Sequence, residues 1–183
     1  MYVVRFHDIG VLIQFLLLIP VTIGLYKLSQ RQYRGISSAM LNIGIVALCL
    51  TAIFLLLQFP NILAIVLYMF PQGVFGVWLI IACWHMKGIF PEWLRRFGFV
   101  VGSGLALVGI FPLGYAIFIS KIILRIPAAP DEEVAKIPTD TIANAVLHQV
   151  LSIGTIIGVL TLPIWTIIVG VRLRRGKYKQ IDV

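Results

Sequence analysis

The sequence predicts an all-α fold: a polytopic membrane bundle of five transmembrane helices forming a single domain over residues 1–183, with the N-terminus outside and the C-terminus in the cytoplasm. Three observations carry this reading. Of the 183 residues, 60% are hydrophobic and 12% charged, with a mean hydropathy of +1.02; an ordinary soluble domain carries about 25% charged residues. The apolar residues fall in runs of roughly 20 or more, the length that crosses a hydrocarbon core about 30 Å thick at 1.5 Å per residue. Those runs also lack the alternation over about 10 residues that marks a barrel strand.

The first span covers about residues 9–27, "IGVLIQFLLLIPVTIGLYK". Its positive charge is concentrated after it and no small-x-small cleavage site follows, so it reads as a retained span and not a signal peptide. Residues 37–86 then run for 50 positions without a charge, about 75 Å if helical and too long for one crossing. "QFPN" at residues 58–61 supplies the break, because proline removes a backbone donor and disfavours a helical residue before it. The second and third spans are therefore about 37–58 and 61–86. A short link, "MKGIFPEWLRR", leads to the fourth span, about 97–120, and the fifth covers about 142–171.

Orientation follows from the basic residues near the span ends. Lys27, Arg31, Arg34, Lys87, Arg95, Arg96, Arg172, Arg174, Arg175, Lys177 and Lys179 fall on one side. Arg5, Lys121, Arg125 and Lys136 fall on the other, among Asp8, Asp131, Glu132, Glu133 and Asp140. The net charge of +8 thus reflects topology and attraction to anionic lipid, and no basic-aromatic motif suggests nucleic acid as a partner. Trp84, Trp93 and Tyr26 sit where interfacial aromatics belong. Cys49 and Cys83 fall at different depths, which suggests neither a disulfide nor a metal pair.

No Asp, Glu, Lys or Arg lies inside a span away from its ends. Pumps, ion-coupled carriers and voltage sensors usually keep such groups in the membrane. The chain also lacks HExxH, a GxSxG elbow, a phosphate-binding glycine loop and paired carboxylates. These features argue against an enzyme, and no cofactor or metal is predicted.

Small residues indicate where helices touch. Gly98, Gly102, Ala106 and Gly109 share one face of the fourth span, and Gly154 and Gly158 form a GxxxG in the fifth. Close backbone approach is a main source of attraction between helices in lipid. Pro20, Pro71, Pro112 and Pro163 each fall within a span. They read either as kinks satisfied by neighbouring helices or as helix breaks exposing carbonyls to a transported substrate.

A polar stripe, Asp140, Asn144, His148, Ser152 and Thr155, descends the fifth span at helical spacing. His7 and Gln14 share a face of the first span, and Gln72 follows Pro71 in the third. Together His7, Gln14, Gln72, Asn144, His148 and Ser152 are the ligand or cofactor candidates of an outward-open crevice. The competing structural reading is a set of interhelical hydrogen bonds. A haem or pigment ligated by His7 or His148 is a further alternative. The longest link, about 121–141, reads as a cap or docking surface.

"WLIIACWHMKGIFPEWLRRFGFVVG" and "HQVLSIGTIIGVLTLPIWTIIVGVRL" resemble segments of uncharacterised small prokaryotic multi-spanning membrane proteins. The resemblance implies a multi-pass protein of the prokaryotic cytoplasmic (inner) membrane and no particular activity. The function expected is a non-catalytic integral membrane subunit, partnered by the lipid bilayer and other membrane protein subunits. The alternative is a small-molecule carrier or binding protein.

Overall fold

The computed structural model describes residues 2–30, 36–57, 62–121 and 141–175, with the side chains of 2–8, 56–57 and 62–68 outside that description. Among the described residues the fold is all helical. The helices are α1 (Tyr2–Gln30), α2 (Ser38–Leu57), α3 (Ile62–His85), α4 (Glu92–Phe118), α5 (Ile142–Gly154) and α6 (Leu162–Arg175), with a π-helical turn, Thr155–Val159, between the last two. Four apolar stretches are long enough to cross a membrane: Ile9–Gln30, Ser38–Leu55, Glu92–Phe118 and the continuous rod Ile142–Arg175. A shorter one, Met69–His85, lies on α3.

The helices outrun the apolar runs. α1 starts before residue 9, and α4 starts at Glu92, a turn ahead of the expected 97, with Pro91 at its N-cap. Helical hydrogen bonding continues past the apolar runs into flanking charged residues, whereas the hydropathy pattern stops where charge begins. Residues 58–61, the expected break, lie outside the described residues, between the end of α2 and the start of α3.

Successive helices pack side by side, α4 lies against both α3 and the last rod, and α1 closes against α6. The core between them holds Phe15, Leu18, Leu48, Phe75, Leu79, Leu94, Leu105 and Trp165, all buried. Phe75 stacks on Trp78 with ring centroids 5.3 Å apart. Gly44 lets Trp78 lie flat on α2, where a Cβ would come within 2.8 Å of the indole nitrogen. Outside, Ile43, Val46, Leu50 and Ile53 of α2 and Val100, Ile110 and Ile117 of α4 are exposed. An apolar outer surface around an apolar core suits a lipid solvent.

Contacts also fix which helix ends share a pole. A Cβ on Gly24 would lie 3.0 Å from Leu173 Cδ1, and the Arg172 guanidinium sits 5.7 Å from the centre of the Trp93 ring. The C-terminal ends of α1 and α6 and the start of α4 therefore lie together, with Lys27, Lys87, Arg95, Arg96, Arg172, Arg174 and Arg175 around them. Arg31, Arg34, Lys177 and Lys179 lie outside the described residues. At the opposite pole Gly114 of α4 meets Leu147 of α5, where a Cβ would come within 2.7 Å of Cδ2. The link 122–140, Asp140 included, is likewise outside the described residues.

Polar caps close the basic pole. Ser29 Oγ accepts from the Ile36 N–H at 2.8 Å, and Gln30 Nε2 donates to the Ile36 carbonyl at 2.7 Å. In the turn from α3 to α4, the Ile89 and Phe90 N–H groups both donate to the Met86 carbonyl. Gly88 has φ of 92°, a left-handed conformation that costs glycine little.

Candidate functional site

Close helix packing positions the last rod. A Cβ on Gly158 would lie 2.5 Å from Leu105 N, and one on Gly154 would lie 2.9 Å from the Gly104 carbonyl. Two apolar carbons are comfortable only at about 3.5–4.0 Å, so no side chain fits at either glycine without separating the helices. On its other side α4 meets α3: a Cβ on Gly73 would lie 2.5 Å from Gly109 Cα, and one on Gly76 would lie 2.6 Å from both the Gly102 carbonyl and Ala106 N. Gly98 faces Cys83 and the Trp165 indole. The small-residue faces thus meet within one chain, and α4 is crowded on two sides. Gly104, Gly73 and Gly76 complete these contacts, and the small-residue spacing in the sequence does not single them out.

Thr141 caps α5, its side-chain oxygen accepting from the Asn144 N–H at 3.2 Å. Asn144 is buried, while His148 and Ser152 are exposed. The His148 ring lies beside Phe111 of α4, centroids 5.7 Å apart and planes tilted by 57°. Ser152 Oγ donates to the His148 carbonyl at 2.9 Å, and Thr155 Oγ1 donates to the Leu151 carbonyl at 2.8 Å. The expected stripe is therefore a spiral. At 3.6 residues per turn, each four-residue step over-rotates by about 40°, which carries the polar row from the interior at Asn144 to the surface at Ser152. Gln149, exposed beside His148, belongs to that surface; its position next to the stripe was the signal for it.

Gln14 has another role. Its Nε2 donates to the Val159 carbonyl across the bundle, a long bond of 3.4 Å. Pro163 lacks the N–H that would otherwise reach that carbonyl four residues back. The helix also widens here, with the Leu160 N–H donating five residues back to Thr155 at 3.1 Å. By contrast α1, α3 and α4 run unbroken through Pro20, Pro71 and Pro112, so helix breaks at those prolines are not observed.

Gln72 is buried on α3 and its Oε1 has no hydrogen-bond partner among the described residues. His7 lies in α1, and its side chain is outside the described residues. The six candidates therefore divide: Gln14 bonds to the π-turn, Asn144 and Gln72 face inward, and His148 and Ser152 face outward. Among the described residues no cluster of three or more His, Cys, Asp or Glu side chains is placed to hold a metal ion. No protein-family model, curated protein or solved structure matches the chain.

Proposed function

We propose that the protein is a non-catalytic integral membrane subunit, crossing a prokaryotic cytoplasmic membrane five times with its basic pole in the cytoplasm, and that α5 contacts another membrane protein. The observation carrying this reading is the exposure of His148 and Gln149 on a membrane helix, about 10–12 Å past its cap at Thr141. Polar side chains on such a helix are costly against lipid and are satisfied by a neighbouring helix. The charge-poor spans and the resemblance to small prokaryotic multi-spanning proteins support the same reading.

The buried Gln72 amide oxygen, which has no hydrogen-bond partner among the described residues, favours a second reading, a small-molecule carrier or binding protein. Purification in mild detergent separates the two. A subunit co-purifies with a second polypeptide in fixed stoichiometry, and His148→Leu with Gln149→Leu releases that polypeptide while leaving the bundle folded. A self-contained protein stabilised by an added solute, with Gln72→Leu abolishing the stabilisation, would overturn the proposal. An absorbance band in the Soret region that disappears in His148→Gln would instead assign a haem.

A further inference from the structure

At the basic pole α4 and α6 enclose an open cavity of about 440 Å³ lined by Trp93, Ile167, Ile168, Val171, Arg172 and Arg175. Its construction is amphipathic. Ile168 and Arg172, and Val171 and Arg175, are spaced by four residues, so each guanidinium lies one turn beyond an aliphatic side chain on the same face of α6. Arg172 is half-buried and held over the Trp93 ring at 5.7 Å, a contact that orients its charge as well as stabilising it. Trp93 is itself half-exposed. Among the described residues, the Glu92 carboxylate is paired with Arg96, and neither Arg172 nor Arg175 has an ion pair.

We propose that this groove binds one anionic phospholipid. Two guanidiniums match the phosphodiester, since arginine presents planar donors suited to phosphate oxygens. The isoleucines and Val171 run from that charge toward the middle of the apolar rod, where an acyl chain would lie. The Trp93 indole stands at the junction, the depth that amphipathic rings favour. Charge complementarity selects the headgroup: a zwitterionic lipid supplies the same chains and phosphate but adds a cation beside two arginines. The proposal does not depend on a protein partner.

The test uses the delipidated full-length chain in detergent, titrated with phosphatidylglycerol or with phosphatidylcholine of the same acyl chains and followed by native mass spectrometry. Phosphatidylglycerol is expected to bind roughly tenfold more tightly, and Arg172→Gln with Arg175→Gln to remove about that factor. Arg174→Gln, one residue outside the lining, is expected to leave binding within about twofold. Lipid brominated on its acyl chains should quench wild-type tryptophan fluorescence more than it quenches Trp93→Phe. Equal affinity for the two lipids, or an equal loss in Arg174→Gln, would reduce the effect to diffuse charge and overturn the site. Displacement of the lipid by excess inorganic phosphate would overturn it in favour of a soluble anion. Unchanged thermal unfolding of the double variant excludes misfolding as the cause of lost binding.

Discussion

At the residue scale, the bond from Gln14 to Val159 links two local features. Proline at position 163 removes a donor from the last rod, the chain widens into a π-turn just before it, and a side chain from α1 supplies a donor to the carbonyl left behind. Interhelical hydrogen bonds in membranes average about 0.6 kcal/mol, so Gln14→Leu should lower stability by about that amount. In a Pro163→Ala background the backbone regains an N–H that can serve Val159, and the cost of Gln14→Leu should vanish. Reversible unfolding in mixed detergent micelles of the two single variants and the double variant measures this coupling. Additive losses would show that Gln14 acts elsewhere.

At the element scale, the bundle depends on glycine contacts on both sides of α4. Overpacking a tight contact costs about 1–3 kcal/mol, and Gly73→Leu and Gly104→Leu should each reach at least that range. Gly10 provides the control, because a Cβ there would meet nothing within 4 Å; Gly10→Ala should leave unfolding unchanged or slightly improved. Near-wild-type unfolding of both leucine variants would contradict the packing. Helix positions were legible because apolar run length and charge at the ends encode them directly, as the match of α2 and α3 to spans 37–58 and 61–86 illustrates. Gly98, Gly102, Ala106 and Gly109 were legible as one face, but a sequence does not name the partner of a face. Gly104 lies off that face and becomes meaningful only once Gly158 is opposite it. The π-turn was hidden because the proline that follows it, four residues beyond the Val159 carbonyl, also fits an ordinary helix, as Pro20, Pro71 and Pro112 do. Spacings of four suggest a straight polar stripe on one face, but their accumulated rotation separates buried Asn144 from exposed Ser152.

At the scale of the whole molecule, the contacts of Gly24 with Leu173 and of Trp93 with Arg172 bring the basic residues to one pole. Gly114 and Leu147 mark the other. Such segregation of charge predicts an orientation, because basic residues near span ends are usually retained on the cytoplasmic side. The proposed protein contact on α5 and the proposed lipid groove on α6 would then lie toward opposite leaflets. Single cysteines introduced at Arg5, Lys27, Asn61, Lys87, Lys121 and Arg175, in a chain with Cys49 and Cys83 replaced by alanine, test this account most directly. Labelled in intact cells with a membrane-impermeant thiol reagent, positions 5, 61 and 121 should react and positions 27, 87 and 175 should react only after permeabilisation. Reaction of Lys87→Cys and Lys121→Cys from the same side would contradict it, because α4 would then not cross the membrane.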